Sequence, residues 1–199
     1  KNGYHGSHFD EKMVGEQACF TDRSFRISQR RKIIELKSYG AGTQTGYLPS
    51  NPNKVNQDAF KMLKGFTEPE CHFFIVCDGH GTNGHEVSKY VTSQLPVVLK
   101  SMNSFTTNPK RALMTTFQKV NSELARCSFD INLSGSTCVS ILIRRNVLYC
   151  ANSGDSRAIL GRQEGTKLRV ISLSRDHKPD EPDEAARIRA RGGRIDSFK

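Results

Sequence analysis

No apolar run in these 199 residues approaches the roughly 20 needed to cross a bilayer, which excludes an α-helical membrane span. Residues 1–15 lack the charged-then-apolar pattern of a signal peptide, so the expectation is a cytoplasmic or nuclear protein that is not secreted. Cys-x-x-Cys pairs are absent as well. Cys19, Cys71, Cys77, Cys127, Cys138 and Cys150 are scattered, several within apolar runs, and read as reduced core thiols rather than as a disulfide framework or zinc cage. His80 and His85 stand five apart without a cysteine pair beside them, which is poor zinc spacing. Also missing is any basic motif interleaved with aromatics, so the net charge of +10 reads as a solvated face and not as a nucleic-acid site. There is no internal repeat.

What is present suits one globular domain: 36% of the residues are hydrophobic and 25% charged. The densest basic patches are Arg30-Arg31-Lys32 and the series Arg187, Arg189, Arg191, Arg194. Residues 1–32 are polar and rich in Gly, His and Ser, an N-terminal extension that is partly irregular, and the domain proper is expected over 33–199. Strands are predicted at 33–39 and 58–63, and at the apolar run Phe73-Phe74-Ile75-Val76-Cys77 that leads into Asp78-Gly79-His80-Gly81. Val87, Tyr90, Val91, Leu95, Val98 and Leu99 recur at helical spacing over 84–102, with a break or kink expected at Pro96. Asn108 followed by Pro109 marks a second helix start, with an apolar stripe of Leu113, Phe117, Val120 and Leu124 and an end near residue 128. Runs at 137–143, 147–152 and 157–161 predict an antiparallel meander, 168–173 a further strand, and Asp180-Glu181-Pro182-Asp183 the first turn of a helix ending at Gly192-Gly193.

The strand ending in Asp78 is the most informative stretch. A sheet fixes polar residues set just past a strand's end while leaving them open to solvent, and glycines beside His80 let backbone approach an ion or phosphate. Asp58 falls at a strand start and Asp155 in the loop Asn152-Ser153-Gly154-Asp155-Ser156-Arg157 between two strands. Carboxylates in such settings favour a hard cation, Mg²⁺ or Mn²⁺.

These residues resemble the PP2C-type (PPM family) metal-dependent protein serine/threonine phosphatases. The resemblance rests on Asn56-Gln57-Asp58, Val76-Cys77-Asp78-Gly79-His80-Gly81, Ser134-Gly135-Ser136-Thr137, Asn152-Ser153-Gly154-Asp155-Ser156-Arg157 and Leu173-Ser174-Arg175-Asp176-His177-Lys178-Pro179, in that order. It implies an α+β, four-layer α-β-β-α sandwich of two antiparallel sheets flanked by helices, acting on phosphoserine and phosphothreonine in protein substrates. It further implies that Asp78 bridges two Mn²⁺ or Mg²⁺ ions, that Gly79 lends a carbonyl oxygen, and that Asp58 holds an ion or its water. Asp155 would serve a third, weaker ion, and His80 would be the general acid.

Three departures accompany the likeness, the mildest being Gln57, where some members of the family carry Glu beside the aspartate and others Gln. Where the family carries a phosphate-binding arginine this chain has Asn53 and Lys54, and Lys54 supplies the charge without the planar fork. The family's distal Asp-Gly and Asp-Asn carboxylates would lie past Lys199, so the domain is expected to be truncated at its C-terminus, with the remainder or a protein partner covering the edge. The sequence therefore leaves two functions open, a phosphatase or a catalytically impaired scaffold of the same family.

Overall fold

The computed structural model describes residues 21–26 and 35–196. In chain order its elements are β1 (Thr21–Arg26), β2 (Asp58–Leu63), β3 (His72–Gly81), α1 (Gly84–Ser101), α2 (Pro109–Leu124), β4 (Ser134–Ser136), β5 (Cys138–Arg144), β6 (Val147–Ser153), β7 (Ile159–Glu164), β8 (Lys167–Ser172) and α3 (Pro182–Ala190). An antiparallel sheet runs β1-β6-β5-β3-β2, with β4 on the far end of β3, and β7 and β8 form a second, two-stranded antiparallel sheet.

Alternation along β3 sorts the layers. Phe73, Ile75 and Cys77 point to one face and are sealed beneath α1 and α2 with Leu142, Val87, Leu95, Leu99, Leu113 and Val120. On the opposite face Val139, Leu148 and Cys150 pack with Phe25 of β1, with Leu160 of β7 and with Leu173 just after β8, which covers part of the β1-β6-β5 half of the sheet. The β2-β3 half is barer, with Val76 50% and Phe60 37% exposed. The apolar run of β3 is thus buried on one face and half open on the other.

α1 continues through Pro96, so of the break or kink expected there the break does not occur. A mid-helix proline costs about 3 kcal/mol, and burying Leu95, Val98 and Leu99 around it returns about 1.5–3 kcal/mol each, so packing wins. α2 begins as its sequence suggests, the Asn108 side chain accepting from the Arg111 N–H at 3.0 Å with Pro109 in the first turn. It stops at Leu124, short of residue 128, where the N–H groups of Arg126 and Cys127 fold back on the carbonyls of Glu123 and Leu124 in tight turns.

Two further expectations are corrected. Residues 35–39 form no strand, and residues 33–34 of that predicted strand lie outside the described residues. Within the partly irregular extension, β1 pairs with β6 from Thr21↔Asn152 to Arg26↔Val147 and adds a strand to the sheet. The meander ends after two strands. β5 and β6 are joined by a two-residue turn with Arg145 and Asn146 both at positive φ (48° and 63°), the twist a tight hairpin needs. β7 then leaves that sheet and pairs with β8.

Candidate metal centre

Register brings the two strand carboxylates together. Asp58 is the direct cross-strand partner of Asp78 in the β2-β3 ladder, on the face opposite the helices. Cross-strand partners hold their Cβ atoms about 4.5–5.5 Å apart, and like charges so placed repel. The Asp78 carboxyl is accordingly held above the ordinary carboxylate range, first by lost hydration at the strand end, then by Asp58 and by Asp155, with His80 pulling the other way. Asp58 and Asp155, far from Asp78 in sequence, thus both act on it through space.

The backbone around Asp78 is fixed by its neighbours. Its N–H donates to the Thr137 hydroxyl at 3.0 Å, and its carbonyl accepts from the Thr137 N–H at 2.9 Å and the Ser136 hydroxyl at 3.2 Å. Thr137 Oγ1 lies 2.6 Å from the Ser156 hydroxyl, next to Asp155, so one chain of hydrogen bonds ties the β3 end to the loop after β6. Asn56 Oδ1 accepts from the Asp58 N–H at 3.0 Å, a side-chain turn that sets the start of β2.

Gly79 is required by space. A Cβ there would stand 2.5 Å from the Gln57 carbonyl oxygen and would also strike the Gly84 carbonyl, because the first turn of α1 packs directly on the strand end. The Gln57 carbonyl accepts from the Gly79 N–H at 3.2 Å and from the Ser88 hydroxyl at 2.6 Å, while its side-chain amide donates to the Gly81 carbonyl. Gln57 is thus a clamp between β2, β3 and α1.

Asp58, Asp78, Gly79 and Lys54 line one small cleft with Asn56 and Gln57. His80 and Asp155 flank it and do not line it. The His80 ring lies over Gly135 of β4, where a Cβ would come within 2.6 Å of Nε2. Among the described residues no three His, Cys, Asp or Glu side chains form a closed cage. Two carboxylates with neighbouring backbone oxygen suit Mg²⁺ or Mn²⁺, which keep several waters and take one or two protein carboxylates, and do not suit zinc.

The loop bearing Asp155 is braced from behind. Arg157 grips Asp176 through two hydrogen bonds, at 2.9 and 2.7 Å, and holds its carboxyl below the ordinary range. The fully buried Asn152 amide donates to the carbonyls of Gly154 and Arg175, and the Gly154 N–H donates to His177 Nδ1 at 3.2 Å. Gly154 sits at φ +102°, with Thr137 where a side chain would go. Sequence reasoning named the segments that hold these residues without their roles. Only Asn56, two before Asp58, carries a local signal, that of an Asx turn.

Comparison with known proteins agrees on one family. The family model "Protein phosphatase 2C" matches residues 53–199. The chain is 35% identical over 160 residues to "Probable protein phosphatase 2C 35" of Arabidopsis thaliana, covering 79% of this chain and 45% of that protein. It is 40% identical over 149 residues to "Protein phosphatase 2C homolog 2" of Schizosaccharomyces pombe, covering 70% and 38%. It thus spans less than half the length of these relatives. Among solved structures, the serine-threonine phosphatase 2C of Toxoplasma gondii superposes with a TM-score of 0.62 at 23% identity, covering 69% of this chain and 51% of that one. The serine/threonine phosphatase Stp1 of Staphylococcus aureus gives 0.51 at 20% identity, covering 92% and 65%. At those identities the likeness is one of fold.

Proposed function

From the premise that this chain belongs to the protein phosphatase 2C family, we propose that it contributes part of the active centre of a phosphatase acting on phosphoserine and phosphothreonine in proteins. The observation that carries this reading is the cross-strand pairing of Asp58 with Asp78 in a cleft that also holds Lys54. Lost hydration and the facing Asp58 raise the cost of ionising Asp78, and a bound divalent cation offsets that cost.

Asp58, Asp78 and the Gly79 carbonyl would hold Mn²⁺ or Mg²⁺, with Asp155 serving a further, weaker site. The ions, when bound, supply the Lewis acidity that makes water nucleophilic near neutral pH and offsets charge on the phosphoryl group. Lys54, which lines the same cleft, binds a phosphoryl oxygen as a point charge. His80, two residues beyond Asp78, holds the proton that the departing serine or threonine oxygen needs, a contribution of about 10² to 10⁴ in rate. Thr137 and Gln57 act through the backbone of Asp78 and Gly79 as positioning residues. The substrates are phosphorylated proteins, and the compartment is the cytoplasm or nucleus.

Release of phosphate from a phosphothreonine peptide by the intact protein, with and without Mn²⁺, tests this. Expected are dependence on the metal and a loss of at least about 10³-fold for Asp78→Ala. Activity that survives chelation, or is indifferent to Asp78→Ala, overturns the reading, and failure to take up Mn²⁺ at all points to the scaffold instead.

A further inference from the structure

We infer that the groove between the outer edge of β2 and α1 is a substrate subsite that takes an acidic side chain of the phosphoprotein, an inference that rests on the phosphatase reading above. Among the described residues β2 pairs on one side only, with β3, so its other edge presents unpaired backbone groups. The groove along that edge is lined by Asp58, Ala59, Lys61, Lys89, Thr92 and Ser93. Asp58 also lines the cleft that holds Asp78 and Lys54, so the groove and the candidate centre meet at one residue.

The charge of the groove argues for its occupant. Lys61 on β2 and Lys89 on α1 converge on it from opposite walls; both are exposed, and neither forms an ion pair among the described residues. Beyond Asp58 the groove's ionisable side chains are both cationic. An extended segment of substrate can lie on a free sheet edge by main-chain hydrogen bonding, leaving alternate side chains to be read by pockets. From Asp58 to Lys61 is three residues of strand, about 10 Å. A substrate strand with its phosphoresidue level with Asp58 therefore carries its third neighbour level with Lys61. Two lysines recognise a negative charge, and the side-chain anions an unmodified neighbouring residue of a protein substrate supplies are the carboxylates of Asp and Glu.

The test compares phosphothreonine peptides that differ only in Glu or Gln at the third residue on either side of the phosphoresidue, with p-nitrophenyl phosphate as a substrate too small to reach the groove. In the intact Mn²⁺-loaded protein, Glu on one of the two sides is expected to lower KM about three- to ten-fold with kcat unchanged, the range two exposed ion pairs supply. The preference should fade at 0.5 M salt. In a Lys61→Glu, Lys89→Glu variant it should invert, so that a peptide with Lys at that position becomes the better substrate. Equal KM values for Glu and Gln peptides on both sides overturn the subsite while leaving the phosphatase intact, as does a preference that the charge-reversed variant retains. No hydrolysis of any substrate, p-nitrophenyl phosphate included, overturns the phosphatase reading and the subsite with it.

Discussion

Asp78 is a residue whose proposed role as a metal ligand opposes the stability of the metal-free fold. Its folded carboxyl titrates above the ordinary value of 3.8, so the unfolded chain gives up this proton first as pH rises. Below about pH 3 both states are protonated and nothing is lost; between 3.8 and the raised folded value stability falls, and it stays lower at neutral pH. Asp78→Asn should therefore raise the melting temperature of the metal-free protein at pH 7 while abolishing hydrolysis, and the gain should vanish near pH 3 in thermal melts followed by circular dichroism. Asp176 has the opposite sign. Arg157 holds its carboxyl down, so its stabilisation is present above the ordinary value and fades as pH falls through the depressed one. Asp176→Asn should lower the melting temperature at pH 7 by about 2–4 °C, with the difference from wild type shrinking below about pH 4.

At the scale of elements, the candidate centre depends on how closely α1 is seated on the end of β3. Gly79→Ala would press a methyl group into two backbone carbonyls, neither of which can rotate away, and should cost about 3 kcal/mol or more in denaturant unfolding. Gly40→Ala, with open space around it, should cost little by the same assay. This junction also shows what the sequence could carry. β2, β3, β5 and β6 were legible because each buries at least part of an alternating or continuous apolar run, β8 because Leu168, Val170 and Ile171 favour a strand although Leu168 and Val170 stay exposed, and α1 and α2 because their stripes recur at helical spacing. β1 was not, because Thr21-Asp22-Arg23-Ser24 is polar and Phe25 is its one apolar residue; its pairing with β6 is a tertiary fact. Ser134-Gly135-Ser136 reads as a loop for the same reason and becomes β4 by pairing with Gly79, His80 and Gly81. Asp58 and Asp78 could be named from their motifs, whereas the ties from Thr137 to Ser156 and from Asn152 to Arg175 cross 19 and 23 residues and leave no local trace.

For the whole molecule the decisive quantity is what a cation does to the folded state. The candidate centre sits at the β2 end of the main sheet, where Val76 and Phe60 leave the face opposite the helices thinly covered, and little nearby apolar packing compensates the Asp58–Asp78 repulsion. A ligand that binds only the folded chain stabilises it by about 2.7 kcal/mol at one hundred times its dissociation constant. For a domain of this size that corresponds to a rise of roughly 5–10 °C. Mn²⁺ at such a concentration should therefore raise the melting temperature of the intact protein by that amount, Ca²⁺-free buffer and chelator giving the baseline. Asp58→Asn should remove most of the shift, since one carboxylate of the opposed pair no longer attracts the ion, and Lys61→Gln should leave it in place, because Lys61 points to the helix side of β2 and away from the cleft. A rise in melting temperature that survives Asp58→Asn would mean that the stabilising ion binds elsewhere, and that the opposed carboxylates are a cost the fold carries without a cation to answer it.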